Sequence, residues 1–350
     1  MSSTKEAIAQ IAAHSIEFVP RRFVRNGHLQ TIVGNFLRRK NSLPPAETVL
    51  VEVARGIDGQ VGSRVRCDCH WQPEEIRAGR PTAIIVHGLE GSSDSQYVIG
   101  NANKLWQAGA NVVRMNMRNC GGTEALSSTL YHSGLSGDVG AVMRHFTDLY
   151  GLTSIALIGY SMGGNLVLKL AGELGRSAPR ALRSVIGVSP VVDLAPSADA
   201  LHAPQNRVYE IKFLRALLAR YRRKVALFPH VYDPARADRI GSIRDFDERI
   251  NSFYSGFAGA DDYYHRAASA RVLESIAVPT LILNAADDPF IRLLPESRQK
   301  IAGNPHIRLL ETSHGGHCAF LAAPDPATDY DGYWAEHTLL RFLLEQADLA

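Results

Sequence analysis

The sequence has few cysteines, little net charge and no long apolar run, and each of these excludes a class of protein. Four cysteines among 350 residues are too few and too unevenly spaced for a disulfide framework, which favours a reducing compartment. A formal net charge of +3 is small for this length and gives no reason to expect a nucleic acid partner. No segment approaches the roughly 20 apolar residues of a membrane-spanning helix.

The N-terminal 22 residues also lack the continuous apolar core of a signal peptide. We therefore expect a soluble cytoplasmic protein without a stable membrane anchor. The segment Cys67-Asp68-Cys69-His70 contains residue types that bind metals, but no second ligand cluster with zinc spacing occurs elsewhere in the sequence. A β-strand is the better interpretation of this segment, and no metal is expected.

Short apolar runs dominate the middle of the chain, whose overall hydrophobic content of 45% is enough for a sizeable core. Such runs predict strands buried on both faces of a parallel sheet. They are Ala83–Val86, Asn111–Met115, Ile155–Ile158, Val185–Val188 and Thr280–Leu283. Helical patterns lie between them over Tyr97–Ala108, Asp138–Tyr150 and Gly164–Leu174. The alternation predicts an α/β fold with a mostly parallel central sheet flanked by helices.

Two regions depart from this alternation. Thr48–Ala54 and Val61–Trp71 predict an antiparallel strand pair joined around Asp58-Gly59. Farther along, Arg207–Tyr221 has apolar residues at helical spacing, and we expect that face on the core and the basic residues in solvent. We interpret the surrounding region as a helical cap over the carboxyl edge of the sheet.

One pentapeptide indicates chemistry. Gly159-Tyr160-Ser161-Met162-Gly163 stands between a predicted strand and a predicted helix, where a strained turn exposes a serine oxygen as a nucleophile. The alternative is an ordinary tight turn in which Ser161 caps the helix. The nearby strand ends favour the first interpretation, so Ser161 is the candidate nucleophile.

The strand at Ala83–Val86 runs directly into His87-Gly88-Leu89-Glu90-Gly91. This is the place from which a serine hydrolase of this architecture takes half of its oxyanion hole. We assign the oxyanion donors to the backbone N–H groups of Leu89 and Met162.

The base and the acid should follow the serine in the chain. His317 is preferred over His314 as the base because it precedes the apolar stretch that begins the last helix. Asp287 and Asp288 end the strand at Thr280–Leu283, and only one of them can face the histidine because successive residues point to opposite sides. Asp288, directly before the turn proline, is the preferred acid, and Asp287 is a candidate for holding the loop.

Six segments together resemble the AB hydrolase 4 family, which contains the bacterial YheT-like hydrolases and is related to eukaryotic ABHD-type lipases. They are Arg25–Thr31, His87–Ser93, Met117–Gly122, Gly159–Asn165, Asn284–Phe290 and His314–Phe320. The resemblance extends from about Arg22 to the C-terminal helix. The sequence differs by having Met162 where leucine is common and Asn119 where glycine is more usual.

This resemblance implies an α/β-hydrolase fold and a carboxylic ester hydrolase with Ser161, Asp288 and His317 as its triad. It implies no cofactor and a small-molecule ester substrate, either a short- to medium-chain acyl ester or an acylglycerol-like one. We expect no counterpart of the membrane-anchoring N-terminal segment of the eukaryotic relatives, and therefore do not carry their lipid substrates over to this sequence. Arg25, Asn26 and His28 match a family signature, and we interpret them as structural residues that brace the entrance of the cap.

The predicted organisation has three parts. Residues 1–79 form an N-terminal segment of the hydrolase domain, residues 80–190 and 273–350 form the α/β-hydrolase core, and residues 191–272 form the cap. Aromatic residues of the cap are candidates for lining an acyl pocket or for ordinary packing. They are Phe246, Phe253, Tyr254, Phe257, Tyr263 and Tyr264.

Three other functions remain open at this point, the first being a peptidase, since the same nucleophile attacks amides. An acyltransferase would use the same triad and pass the acyl group to an alcohol or thiol, and a catalytically silent homologue would only bind a ligand. A dehalogenase is disfavoured because it would carry aspartate at position 161. The sequence does not indicate the oligomeric state.

Overall fold

The computed structural model describes residues 17–55, 62–325, 327 and 330–347. Eight strands form one sheet in the order β1-β2-β4-β3-β5-β6-β7-β8. The strands are β1 (Glu47–Ala54), β2 (Ser63–His70), β3 (Thr82–Val86), β4 (Asn111–Met115), β5 (Ile155–Tyr160), β6 (Leu182–Val188), β7 (Thr280–Ala285) and β8 (Ile307–Thr312). From β3 to β8 all neighbouring strands are parallel, whereas β2 runs antiparallel to both β1 and β4.

The predicted strands are confirmed. All five apolar runs form strands in the parallel part of the sheet, and every residue of β3, β4, β5 and β7 is buried. The predicted antiparallel pair is also present, with Val51 opposite Val65, while the turn at Asp58-Gly59 lies outside the described residues. Cys67 and Cys69 belong to β2, as the strand interpretation predicted.

Helices cover both faces of the sheet. The helices are α1 (Gly27–Phe36), α2 (Glu74–Arg77), α3 (Gln96–Gln107), α4 (Ser136–Tyr150), α5 (Met162–Leu174), α6 (Leu194–His202), α7 (Arg207–Leu227), α8 (Ile243–Phe246), α9 (Phe253–Ser255), α10 (Ala260–Ala267), α11 (Pro295–Gly303) and α12 (Trp334–Gln346). A π-helix over Asp247–Ser252 joins α8 to α9. Short 3₁₀ turns lie at Glu124–Leu126, Gly175–Ser177, Pro204–Asn206, Pro234–Ala237, Ser269–Arg271 and Leu273–Ser275.

The pleat of each strand divides its side chains between two hydrophobic cores. Ile84 and Val86 of β3 lie in the core that includes α4 and α5, whereas Ala83 and Ile85 lie in the core that includes α3 and α12. Burial on both faces explains why these strands read as continuous apolar runs. The result is an α/β-hydrolase fold with a mostly parallel central sheet.

Helices α6 to α10 lie between β6 and β7 and form the helical cap insertion. The prediction for its longest helix, α7, is wrong in one respect. Arg220 was expected in solvent, but its side chain is buried on the same face as Leu217 and Tyr221. Lys224, beyond the predicted range, is buried on that face as well. Val208, expected on the core face, is 77% exposed. The domain limits given above stay a prediction.

Candidate active site

Ser161 stands at the sharp turn between β5 and α5. Its backbone has φ 54° and ψ −115°, a conformation that L-residues rarely adopt. Two hydrogen bonds hold the turn: Ser161 N–H donates to the Val188 carbonyl at 2.9 Å, and Asn165 N–H donates to the Ser161 carbonyl at 3.1 Å. The strained turn places the Ser161 hydroxyl before the first turn of α5, where Ser161 lines a cavity beneath the cap.

The glycines of the pentapeptide are required by close backbone contacts. A Cβ atom on Gly159 would lie 2.1 Å from the Gly163 carbonyl oxygen, and one on Gly163 would lie 2.4 Å from the Val86 carbonyl oxygen. Because both neighbours are backbone atoms, neither position tolerates a larger residue without moving β3 or β5. The spacing of these glycines is therefore fixed by how tightly α5 approaches the sheet.

The structure brings Ser161, His317 and Asp288 together at the carboxyl edge of the parallel strands. His317 Nε2 lies 3.0 Å from Ser161 Oγ, and His317 Nδ1 lies 2.8 Å from Asp288 Oδ2. Since a carboxylate only accepts, Nδ1–H donates to Asp288 and Nε2 accepts the serine proton. The side chain of Asp288 is 1% exposed and that of His317 is 11% exposed, so both are shielded from water.

The two adjacent carboxylates have different partners. Asp288 Oδ1 accepts the N–H groups of Phe290 at 3.1 Å and Ile291 at 2.9 Å, which leaves Oδ2 for His317. Asp287 instead accepts from Gly316 N–H at 2.9 Å. Its other oxygen lies 3.4 Å from the Nδ1 atom of His314, the histidine not preferred as base. Asp287 thus fastens the loop that carries His317 and does not contact its ring.

The surroundings of His317 favour its protonated form. Burial alone would lower the pKa of the imidazole, but Cys318 and the carboxylate of Asp288 outweigh burial, and the pKa of His317 is raised above 6.5. A base whose charged form is supported in this way gains affinity for the proton that it must take from a serine. Phe290 packs on the ring with 4.3 Å between ring centroids and limits its rotation.

The loop of His317 is also held by α1, a role that the sequence did not reveal. Thr31 Oγ1 accepts the His317 N–H at 2.8 Å. Gln30 bonds Leu321 through both side-chain atoms, at 2.8 Å to its N–H and 3.0 Å to its carbonyl. A Cβ atom on Gly316 would lie 2.4 Å from the Gly27 carbonyl oxygen, so helix and loop are in close contact.

The remaining residues of the signature in α1 have separate contacts. Asn26 caps α1 by accepting the N–H groups of His28 at 2.9 Å and Leu29 at 3.3 Å. His28 Nδ1 lies 3.1 Å from the hydroxyl of Tyr209 in the cap, and the two rings are stacked. Arg25 is exposed. The segment therefore links the histidine loop, α1 and the cap, but only the resemblance to a family signature singled it out.

The two candidate oxyanion donors, Leu89 and Met162, line the same cavity as Ser161. Neither N–H is a donor in the backbone or side-chain hydrogen bonds that the described residues make. Met162 is the first residue of α5, where unpaired amides and the helix dipole favour negative charge. Both amides therefore suit an oxygen that develops negative charge next to Ser161.

His87 fixes the loop that carries Leu89. Its Nδ1–H donates to the Gly88 carbonyl at 2.7 Å, and its Nε2 accepts the Met117 N–H at 3.1 Å. Burial lowers the pKa of His87 to about 4, so the ring is neutral and keeps this pair of bonds. The Gly88 N–H is taken by the Tyr97 hydroxyl at 2.8 Å. These contacts orient the peptide next to Leu89, and they make His87 more than a strand-ending residue.

Glu90 connects the same loop to the cap. Arg220 of α7 donates to both carboxylate oxygens, from Nε at 2.9 Å and from Nη2 at 3.0 Å. The hydroxyl of Tyr131 adds a third bond at 2.5 Å. Since Glu90 directly follows Leu89, this ion pair ties the position of a candidate oxyanion donor to the position of the cap.

A cavity of about 750 Å³, including its open mouth, extends from Ser161 under the cap. Its walls are mainly apolar, with Leu194, Leu201, Phe213 and Leu217 among them. Of the six aromatic residues proposed for an acyl pocket, Tyr263 and Tyr264 line this cavity, while Phe246, Phe253, Tyr254 and Phe257 do not.

Metal ligands and membrane-spanning helices can be assessed over the described part of the chain. There, no three His, Cys, Asp or Glu side chains are placed to hold a metal ion. No helix in those residues is both long and apolar enough to cross a bilayer.

Comparison with known proteins adds family relationships to this geometry. A family model of the alpha/beta hydrolase fold matches residues 81–324. The Escherichia coli esterase candidate YheT is 31% identical over 312 residues, which is 88% of this chain and 88% of YheT. Mouse phospholipase ABHD3 is 29% identical over 243 residues, covering 69% of this chain but only 59% of that longer protein.

Among solved structures, 2,6-dihydroxy-pseudo-oxynicotine hydrolase aligns with a TM-score of 0.57. The alignment covers 92% of this chain and 72% of that one at 18% identity, so it supports the fold alone.

Proposed function

The chain belongs to the alpha/beta hydrolase fold family, and from this premise we propose that it hydrolyses carboxylic esters through an acyl-enzyme formed on Ser161. The observation that carries the proposal is the hydrogen-bonded chain from Ser161 through His317 to Asp288, built on a strained serine turn. Its relatives YheT, an esterase candidate, and the phospholipase ABHD3 support ester hydrolysis as the general reaction.

The first half of the reaction transfers the acyl group to the enzyme. His317 Nε2 takes the hydroxyl proton while Ser161 Oγ attacks the ester carbonyl carbon, and the carbonyl electron pair moves onto oxygen. The N–H groups of Leu89 and Met162 hold that oxyanion. When the intermediate collapses, the bond to the alcohol oxygen breaks, and the departing oxygen takes the proton from His317. Asp288 stabilises the imidazolium throughout.

The second half returns the enzyme to its starting state. His317 takes a proton from water as the water oxygen attacks the acyl carbon. The same two amides hold the second oxyanion, and Ser161 leaves with the proton that His317 returns. Every step uses groups of this chain, water and the ester, and none requires a cofactor.

The cavity supports an acyl chain of short to medium length as the group bound beneath the cap. Its mainly apolar wall suits an alkyl chain that leaves water on binding. A panel of p-nitrophenyl esters of increasing chain length should therefore show an optimum, with longer chains limited by the space among lining residues such as Leu201, Phe213 and Leu217.

Replacement of the nucleophile tests the proposal directly. Ser161→Ala should lower kcat for a p-nitrophenyl ester by about 10⁴-fold or more, because no other group can form the acyl-enzyme. It should also abolish labelling by a fluorophosphonate, with an unchanged circular dichroism spectrum.

Ser197→Ala is the matched control, because Ser197 lines the same cavity but its Oγ accepts the N–H of Arg292 at 3.1 Å. That variant should keep both turnover and labelling. Turnover by Ser161→Ala at the rate of the unsubstituted protein would disprove the assignment.

A further inference from the structure

The cavity has a polar region that ester hydrolysis does not use. His132, Asp247, Asn251, Tyr263 and Tyr264 line it together, and we call these five residues the cap polar cluster. Ring contacts connect them in series: His132 to Tyr263 with 5.9 Å between centroids, and Tyr263 to Tyr264 with 5.2 Å. The hydroxyl of Tyr264 then donates to Asp247 at 2.7 Å. A mainly apolar wall is thus interrupted by one connected group of polar side chains.

Asp247 supplies hydrogen-bond acceptors to this region. Its residue is 6% exposed, and each carboxylate oxygen has one protein donor: Asn251 Nδ2 on Oδ1 at 2.6 Å and the Tyr264 hydroxyl on Oδ2. A carboxylate can accept about four hydrogen bonds, so acceptor capacity remains on the side of the cavity. Burial raises the pKa of Asp247 to about 6, although Tyr264, Asn251 and Arg244 oppose the shift.

No cation compensates Asp247 by direct contact among the described residues. The guanidinium of Arg244, whose charge acts on Asp247, lies over the Tyr264 ring at 5.1 Å. It pairs instead with Asp199 at 2.9 Å and Asp261 at 2.5 Å. A buried carboxylate is costly to keep without a full set of partners, so Asp247 suits a hydrogen-bond donor that enters the cavity.

His132 supplies a donor. Its Nδ1 accepts the Gly134 N–H at 3.1 Å, which places the ring proton on Nε2. Burial lowers the pKa of His132 to about 3, so the ring stays neutral with a single N–H. Among the hydrogen bonds of the described residues, Nε2–H has no acceptor. The cap polar cluster therefore offers both a donor and acceptors to whatever occupies the cavity.

The identity of the occupying group follows from this combination. An alkyl chain end would remove water from Asp247 and His132 without replacing its hydrogen bonds. A carboxylate would meet Asp247 as a like charge, and an ammonium would meet the N–H of His132 and the field of Arg244. A hydroxyl group carries no charge and can donate to Asp247 or accept from His132, so it suits either part of the cluster.

The cavity receives the acyl part of the ester, not the alcohol. In the proposed reaction the departing oxygen takes its proton from His317, so the alcohol must lie on the side of that ring. Ser161 lines the cavity, whereas His317 is not among the described residues that do; Phe290 lines the cavity and packs on the His317 ring. The acyl chain therefore extends from Ser161 toward the cap polar cluster.

We propose that the cap polar cluster binds a hydroxyl group on the acyl chain, so that the preferred substrates are esters of hydroxy acids. This inference rests on the proposed ester hydrolysis. It assigns Asp247 and His132 as specificity-determining residues that contact the substrate away from the reacting bond.

The test compares p-nitrophenyl alkanoates, from butanoate to octanoate, with their terminally hydroxylated analogues. At one chain length the wild-type kcat/KM should favour the hydroxylated ester by about ten- to a hundredfold, the range expected for a hydrogen bond to a charged group. Asp247→Asn should reduce this preference, measured as the ratio of kcat/KM for the hydroxylated and the plain ester, severalfold or more.

Asp245→Asn is the matched control, because Asp245 is exposed and accepts the Gly241 N–H at 3.0 Å outside the cavity. It should keep the full preference. Wild-type protein that shows no preference at any chain length overturns the proposal without relying on a variant. A preference confined to esters with the hydroxyl in the alcohol, measured with glyceryl and propyl hexanoate, also overturns it.

Failure of the underlying reaction gives a different result. If the wild-type protein cleaves none of the esters and does not react with a fluorophosphonate, ester hydrolysis itself is wrong, and the inference is overturned with it. If plain esters are cleaved and only the preference is missing, ester hydrolysis stands and the hydroxyl subsite does not.

Discussion

The strands at the centre of the sheet and the cap bury different kinds of side chain. Strands β3, β5 and β7 contribute mainly aliphatic residues to two continuous cores. The buried residues of the cap include Glu210, Arg220, Lys224 and Asp247. Apolar contacts are non-directional and tolerate small shifts, whereas a buried ion is stable only while its specific partners stay in place. The sheet thus acts as a frame, and the cap depends on individual polar contacts.

The two regions meet next to the candidate oxyanion loop. Leu89 is positioned from the sheet side by His87 and from the cap side through the Glu90–Arg220 pair. Substitutions on the sheet side should therefore lower kcat directly. Substitutions on the cap side should first lower the free energy of unfolding, and they should lower kcat by displacing the loop that carries Leu89.

The largest effect is expected at the end of β7. Asp288→Asn should lower kcat by about 10⁴-fold, because the amide cannot support the imidazolium and favours the wrong tautomer of His317. The pH profile of kcat/KM shows in which direction Asp288 shifts the pKa of His317. Since Asp288 raises the pKa of His317, wild-type activity should fall as pH drops through a value above 6.5, and in the variant this limb should move to lower pH.

Asp287→Asn is the control for that experiment. It weakens the bond to Gly316 N–H and the contact with His314, but leaves the contact between Asp288 and His317 intact. Its acid limb should stay where the wild type has it. A limb that moves in Asp287→Asn and not in Asp288→Asn would reverse the roles given to the two carboxylates.

The next effect is expected on the cap side. Arg220→Met leaves Glu90 buried with the Tyr131 hydroxyl as its remaining side-chain donor. The free energy of unfolding should fall by about 3–5 kcal/mol, the usual cost of removing one member of a buried pair. Urea denaturation measures this loss. A lower kcat is also expected, since the displaced Glu90 would carry Leu89 with it.

Arg223→Met provides the comparison on the same helix. The Arg223 side chain is 52% exposed and pairs with Glu124, so its loss should cost no more than about 1 kcal/mol. Adding Glu90→Gln to Arg220→Met should recover part of the lost stability, because no uncompensated charge remains. Equal small losses for Arg220→Met and Arg223→Met would show that the cap does not depend on the buried pair.

The same contrast explains what the sequence could predict. The strands were predictable because burial on both faces produces continuous apolar runs, and the serine turn because close backbone contacts require Gly159 and Gly163. Asp288 and His317 could be placed by chain order, since the carboxyl ends of parallel strands meet at one edge of the sheet. The apolar runs and the spacing of the two glycines can each be recognised in a short segment of the sequence.

The orientation of α7 was not predictable in this way. A helical pattern assigns basic residues to solvent, but Arg220 faces Glu90, 130 residues earlier, and only the fold brings the two together. The contacts of α1 pose the same difficulty, because Gln30 bonds Leu321, 291 residues away in the chain. Polar residues that stabilise distant loops carry no periodic signal, so their partners become visible only in the folded chain.

Lys224 gives the smallest and most selective test of a polar cap. Its side chain is buried, and Nζ donates to the carbonyl groups of Glu124, at 3.1 Å, and of Ser127. Burial lowers the pKa of Lys224 to about 8, so between about pH 8 and the ordinary lysine value of 10.5 the unfolded chain binds more protons than the folded one. Stability from this group should therefore rise with pH across that window.

Lys224→Met removes this pH dependence of stability. The free energy of unfolding of both proteins can be measured in urea at several pH values. The difference between them should change in favour of wild type as pH increases. A difference that stays constant would mean that the ammonium is not held in an apolar setting, and the contrast between sheet and cap would then rest on Glu210, Arg220 and Asp247.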